Sequence, residues 1–302
     1  MAGIAIPRRR RVRTAPAVTP PPTVSLVIPA FNEETTIERC LLAALGQTQA
    51  PREIIVVDNR STDGTAAVVR RVAEAHPHAG IRILRQFDAQ GLVPTRNTGF
   101  AAVRGDVIGR IDADSVIAPD WVANVSGAMG DPTVGAVTGP VTYYDVPLFG
   151  SSSVSDDLVR RPLWHLGKRR CPFLYGSNMA IRAQAWRAIE GSACPDHDDV
   201  LHEDIDLAVH LKQTGIRVAY LPRMRAGVSA RRLDSSPSSF RAYTHRFNAT
   251  YESHGIDHWT LRAPRHLLQG LFWGLRSASS LTPSSTTRET EAEAGLGLSP
   301  KA

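Results

Sequence analysis

Cysteine is scarce in this 302-residue sequence: only Cys40, Cys171 and Cys194 occur, an odd count with no CxxC spacing. That usage fits a reducing cytosol better than a disulfide framework, and the three read as packing residues. Long hydrophobic runs are also missing. No segment approaches the roughly 18 apolar residues that a spanning helix needs, and Leu267 to Leu275 is about half that length, so no transmembrane anchor is expected. No GxGxxG follows an apolar strand, which removes the phosphate-binding turn of a dinucleotide-dependent oxidoreductase. Residues 1–22 contain no Asp, Glu or Lys but five Arg, at positions 8, 9, 10, 11 and 13. They lack the apolar stretch and cleavage site of a signal peptide.

These five arginines account for nearly all of the formal net charge of +6. The segment therefore reads as a disordered basic arm, serving either solubility or contact with anionic lipid head groups or a partner. No basic-aromatic interleaving or finger spacing follows it, so nucleic acid is not expected as a partner. The stretch 277–302, rich in Ser, Thr, Glu and Gly, reads as a disordered tail. With 42% hydrophobic residues, the chain between these ends can bury a sizeable core.

Val24 to Ile28 is a β-branched apolar run followed by Ile37, Leu41 and Leu45 on one helical face. Glu53 to Val57, a polar turn over 58–64, and Val68, Val69, Val72 and Ala73 repeat the pattern. Ile81 to Leu84, a small-residue helix over 95–103 and the strand Val107 to Ile111 extend it. Strands alternating with helices predict an α/β fold with a doubly wound, mostly parallel sheet. Ligands bind outside the carboxyl ends of such strands, where Asn32, Asp58 and Asp112 fall. Farther on, 135–141 reads as a strand. A helix begins near Leu201, Gly215 is placed to cap it, and 216–221 is another strand.

Asp112-Ala113-Asp114 closes an apolar strand. Two carboxylates so spaced suit a hard divalent cation, Mn²⁺ or Mg²⁺, that also holds a diphosphate, although an isolated triplet is equally a solvated turn. Glu203-Asp204 opens the later helix. Acids there satisfy the helix dipole, or one acts as a general base toward an acceptor hydroxyl.

Taken together and in order, Pro29 to Glu34, Val57 to Thr65, Arg96-Asn97-Thr98-Gly99, Asp112-Ala113-Asp114 and Glu203-Asp204 resemble a family 2 glycosyltransferase of the GT-A fold. The resemblance covers about 23–222. It implies inverting transfer of a sugar from a nucleotide-sugar donor to a glycan, lipid-linked or small-molecule acceptor. In that family's pattern Pro29, Phe31 and Glu33 flank the nucleoside, and Asp58 or Asn59 meets the base. Arg96 contacts the nucleotide or forms a structural salt bridge. Asp114 is the first metal ligand, and Asp112 meets the ribose or a metal-bound water. Asp204 is the base, with Glu203 orienting substrate or neighbouring backbone.

Two departures touch the nucleoside loop, since Phe31 and Asn59 stand where the family commonly has Tyr and Asp. They keep the nucleobase open between uracil, guanine and thymine, and they motivate a non-catalytic nucleotide-sugar-binding or partner protein as the alternative function. The segment 175–180 resembles the family's acceptor-side lining. The Gln-x-x-Arg-Trp pattern of processive synthases is absent. A sugar-nucleotide pyrophosphorylase is disfavoured, because 29–34 is not the Gly-rich basic loop it requires.

Trp164, His165 and Trp186 are either core residues or a stacking surface for a sugar or lipid. The run 168–170 is either a solvated face or an acceptor-phosphate contact. The expected organisation is a nucleotide-sugar-binding half at 23–145, an acceptor-binding half at 146–255 and an apolar, Arg-flanked segment at 256–276. That last segment either lies on a membrane surface or packs on protein. A cytoplasmic location, free or peripheral at the inner membrane face, follows.

Overall fold

The computed structural model describes residues 20–144, 161–162, 164–167, 173–196, 200–229, 231 and 236–256, with positions 266, 269, 270 and 273 beyond. The basic arm through residue 19, the run 168–170, the tail 277–302 and most of 257–276 lie outside the described residues. Pro22, assigned above to the arm, is already docked, because its carbonyl accepts from Ser126 Oγ at 2.7 Å.

The first half follows the alternation of the sequence: β1 (Val24–Ala30), α1 (Ile37–Leu45), β2 (Glu53–Asp58), α2 (Thr65–Ala75), β3 (Ile81–Arg85), α3 (Leu92–Ala101) and β4 (Val107–Ile111). Pro29 does not end β1 as expected. The β1–β4 ladder stops at Val27, whereas pairing with β2 continues to Ala30. The residue without an N–H therefore sits past the last β4 partner, where its missing donor costs the least.

After β4 come β5 (Val116–Ile117), α4 (Trp121–Ala128), β6 (Val134–Thr138), β7 (Val141–Tyr143), β8 (Asn178–Arg182), α5 (Ala183–Ile189), α6 (Glu203–Gln213), β9 (Arg217–Tyr220), β10 (Ala226–Val228) and α7 (Pro237–Ser253). The single strand expected over 135–141 is two strands, and they belong to different sheets. The large sheet has the order β3-β2-β1-β4-β8-β6-β9, and β5-β10-β7 form a small second sheet. Gly139-Pro140 breaks the run, since proline cannot donate to a ladder. Gly215, at φ +73°, follows α6 in the left-handed conformation expected of a helix stop.

Alternation along β1 and β2 divides the core. Leu26, Ile28, Ile54 and Val56 face α1, α2 and α4, whereas Val27, Ile55 and Val57 face α3, α5 and α6. Helices therefore cover both faces of a largely parallel sheet. Trp164 and Trp186 are buried, in keeping with the core reading, whereas His165 is exposed. No helix among the described residues is long and apolar enough to cross a membrane.

Strand β8 runs antiparallel to β4, with Asn178 opposite Ile111. This reversal matters for function. β1, β2 and β4 deliver the loops after them to one edge of the sheet, and β8 delivers the loop before it, 175–177, to the same edge.

On the opposite face α3 lies unusually close to the sheet. A Cβ added at Gly99 would fall 2.3 Å from Val27 Cγ1 and 3.0 Å from Val57 Cγ2. Alanine ordinarily favours a helix over glycine by about 1 kcal/mol. Here overpacking outweighs that gain, so Gly99→Ala should destabilise by about 1–3 kcal/mol in urea unfolding. A stabilised variant would contradict the close approach.

Candidate active site

The loops after β1 and β2 are tied together before they meet any ligand. Asn32, at φ +54°, accepts from Thr62 N through Oδ1 at 2.8 Å and donates its own N–H to Ser61 Oγ at 3.0 Å. Glu34 accepts from Gly64 N at 2.9 Å. Asp58 is buried and accepts from Ser61 N at 3.1 Å. Phe31 is 49% exposed at the mouth of this cradle, and Pro29 is buried in the strand beneath it.

Asn59 is also buried, but its amide points into the protein. Both donors go to carbonyls, Gln86 O at 3.1 Å and Ala89 O at 2.9 Å, and Oδ1 accepts from Gly91 N at 2.8 Å. The departure from Asp at this position therefore shapes the loop before α3. A carboxylate could not donate to those two carbonyls.

At the end of β4, Asp112 is half-exposed and Asp114 is buried. Burial, with the nearby charges of Asp112 and Glu33, pushes the Asp114 carboxyl up to about 6, against the opposing effect of Arg231. Arg231 was not foreseen from the sequence. Its Nε lies 3.3 Å from Asp114 Oδ2, and its Nη1 donates to Glu33 Oε2 at 2.6 Å. Its guanidinium thus neutralises the pair Glu33–Asp114 from a position 198 residues away from Glu33. Cys40 lies beneath, its Sγ 3.4 Å from Asp112 O, and desolvation pushes its thiol far above the usual range.

Glu203 and Asp204 occupy the first turn of α6 and have different surroundings. Arg96 is wholly buried and donates Nη1 to Glu203 Oε2 at 2.5 Å and to Glu203 O at 3.2 Å, while its other nitrogens hold Asn97 Oδ1. Of the two readings of Arg96, the structural salt bridge is the one observed. Arg110, the penultimate residue of β4, has Nη2 2.8 Å from Asp112 Oδ1 and Nη1 3.4 Å from Glu203 Oε1. The two guanidiniums hold the Glu203 carboxyl below the usual range, even though burial acts in the opposite sense.

Asp204 accepts from Gly176 N at 2.7 Å and Ile205 N at 2.8 Å. Burial and the Glu203 charge push its carboxyl up to about 6. Paired acids whose environments drive their pKa values apart mark a division into a fixed charge and a proton acceptor. Gly176 is required here, because a Cβ at that position would fall 1.7 Å from Arg110 Nη1.

The structure thus brings Glu33, Asp112, Asp114, Glu203 and Asp204 around one crevice, with Arg110 between the two acid groups. Arg110 did leave a signal in the sequence, as a lone charge inside the apolar strand Val107–Ile111.

The profile of glycosyl transferase family 2 matches residues 25–189, more than half of the chain. The chain belongs to that family. Among curated relatives, the glycosyltransferase AglE of Haloferax volcanii is 32% identical over 124 residues, 40% of this chain and 40% of its own length. The pre-mycofactocin glycosyltransferase of Mycobacterium tuberculosis is 28% identical over 204 residues, 66% of this chain and 41% of its own length. The family 2 chain thus spans about two-fifths of the curated relatives it matches. A mannosyltransferase from Pyrobaculum calidifontis, solved with GDP-Man and Mn²⁺, superposes with a TM-score of 0.61 at 23% identity, covering 96% of this chain and 85% of that one. That likeness shows the GT-A fold.

The buried Arg96–Glu203 pair yields a direct prediction. Removing one partner of a buried pair typically costs about 3–5 kcal/mol, so Arg96→Met should lower the denaturant midpoint by a corresponding amount. A loss below about 1 kcal/mol, the level of a surface pair, would contradict the arrangement.

Proposed function

We propose that the chain is an inverting, metal-assisted glycosyltransferase that moves a sugar from a nucleotide sugar to a hydroxyl of a glycan, lipid-linked or small-molecule acceptor. The observation that carries the reading is the Arg110 guanidinium held between Asp112, two residues from Asp114, and Glu203, the neighbour of Asp204. An acceptor hydroxyl beside Asp204 gives up its proton to the carboxylate as its oxygen attacks the anomeric carbon. The bond to the diphosphate oxygen breaks with its electron pair, on the donor side of the site. A single displacement of this kind inverts the anomeric configuration.

The residues on the donor side fit a divalent cation. Asp114, Asp112 and Glu33 present hard oxygen donors, and burial together with their repulsion raises Asp114, which Arg231 offsets only in part. Asp114 would hold Mn²⁺ or Mg²⁺, with Asp112 directly or through water. The ion's chemistry is neutralisation of the leaving diphosphate, typically worth several kcal/mol at the transition state. Phe31 offers its exposed ring to the nucleobase, Pro29 and Glu33 shape the wall, and Asp58 faces the nucleoside. Arg96 and Asn59 act indirectly, by fixing α6 and the loop before α3. The non-catalytic alternative loses one of its two motives, because Asn59 is committed to that loop.

The decisive assay incubates the protein with UDP-, GDP- and dTDP-sugars, Mn²⁺ or Mg²⁺ and a panel of glycan and lipid-linked acceptors. Product from at least one donor, with the inverted anomer by NMR, is expected. Asp204→Asn should lower kcat by about 10²–10⁴-fold while the nucleotide and metal still raise the melting temperature, because the donor side is intact. Asp114→Ala should remove both the transfer and the metal-dependent part of that rise. Undiminished transfer in both variants would overturn the assignment.

A further inference from the structure

Helix α6 also contributes Asp206 and His210 to a cluster of metal-capable side chains that the sugar-transfer reading does not use. Successive residues of an α-helix advance by about 100°, so Asp206 points away from the side on which Asp204 meets Gly176. Asp206 is 2% exposed in its side chain and lies on the same face as His210, one turn later. His254, just past the end of α7, places Nε2 2.8 Å from Asp206 Oδ1. Cys194, in the loop after α5, donates its backbone N–H to Asp206 Oδ2 at 3.0 Å. One donor atom from each of Cys194, Asp206, His210 and His254 lies within 4.8 Å of the others.

We propose that Cys194, Asp206, His210 and His254 form a structural zinc site that locks the back of α6 to the loop after α5 and to the end of α7. A thiolate, two imidazoles and a carboxylate are the mixed S, N and O donors that Zn²⁺ accepts in tetrahedral coordination. Four protein ligands leave no open position, which makes the site structural. Bonds of about 2.0–2.3 Å in a tetrahedron separate the donors by roughly 3.3–3.8 Å, so small side-chain rotations convert the observed cluster into a site.

An independent observation points to the same place. His210 Nε2 is buried without a hydrogen-bond partner, 3.4 Å from Asp206 Oδ1. Buried ring nitrogens are normally satisfied, and a metal ion at the centre of the cluster would satisfy this one. The His210 and His254 rings lie 4.9 Å apart between centroids and 82° between planes, and each presents Nε2 toward Asp206 Oδ1. The ligands are spread over the sequence, with Cys194 12 residues and His254 48 residues from Asp206. No finger-type spacing advertises them.

The test uses the full chain without a polyhistidine tag. Elemental analysis after gel filtration should find about one zinc per chain. The metal should persist in an Asp112→Ala/Asp114→Ala variant and be lost from His254→Ala. Replacement by Co²⁺ should give the visible absorption of a tetrahedral ion with a near-ultraviolet thiolate-to-cobalt band, and that band should vanish in Cys194→Ser. Should the variants fail to fold, the wild-type metal content and cobalt spectrum still decide. Folded wild-type protein that holds no zinc and gives no tetrahedral cobalt spectrum would overturn the proposal, as would a thiolate band that survives Cys194→Ser. None of these readouts depends on sugar transfer.

Discussion

A chain of opposite charges runs from the interior out to the half-exposed Asp112: Arg96, Glu203, Arg110 and Asp112, in that order. Neither guanidinium side chain is more than 3% exposed. Buried charges are costly unless each has a partner, so Arg96, Glu203 and Arg110 can occupy this position only together, with the half-exposed Asp112 completing the pairing of Arg110. That requirement sets the placement of everything near them. Arg96 comes from α3, Arg110 from β4 and Glu203 from α6, and their pairing fixes the first turn of α6 against the carboxyl end of β4. Asp204, the next residue, is held there by the N–H groups of Gly176 and Ile205.

The same alternation makes two neighbouring acids chemically unlike. Glu203 takes the positive charge and stays ionised. Asp204 is desolvated and feels the Glu203 charge, so its proton affinity rises although the N–H groups of Gly176 and Ile205 and the charge of Arg110 act the other way. At the end of β4 Asp114 is raised for a related reason, being buried with Asp112 and Glu33 and only partly relieved by Arg231. One crevice therefore contains a site suited to positive charge and a site suited to receiving a proton, kept apart by the Arg110 side chain.

The regular first half was legible because local signals and tertiary demand agree there. Val24–Ile28 and Glu53–Val57 are continuous apolar runs because both faces of their strands are covered. The loop motifs after β1, β2 and β4 could be placed on one edge from the α/β alternation alone. The second half was harder, because its contacts are not local. β8 is antiparallel and short, and 135–141 divides between two sheets. α7 supports α6 from a distance, with His202 N donating to Thr250 Oγ1 at 2.7 Å. Side-chain roles in the site were legible by type but not always by direction. Asn59 has the right chemistry for a nucleobase, yet its amide turns inward to Gln86 and Ala89. Arg231 has no motif around it, and only the fold brings it to Glu33 and Asp114.

The central claim is that Glu203 serves as a fixed charge that tunes Asp204. It is tested most directly by the pH dependence of kcat/KM for sugar transfer in the wild-type protein and in Glu203→Gln. A base must be ionised to act, so activity should fall as pH drops through the raised pKa of Asp204, near 6. Removing the Glu203 charge takes away one of the causes of that elevation, and the acid limb should move to lower pH. An acid limb that stays in place or moves upward would contradict the account.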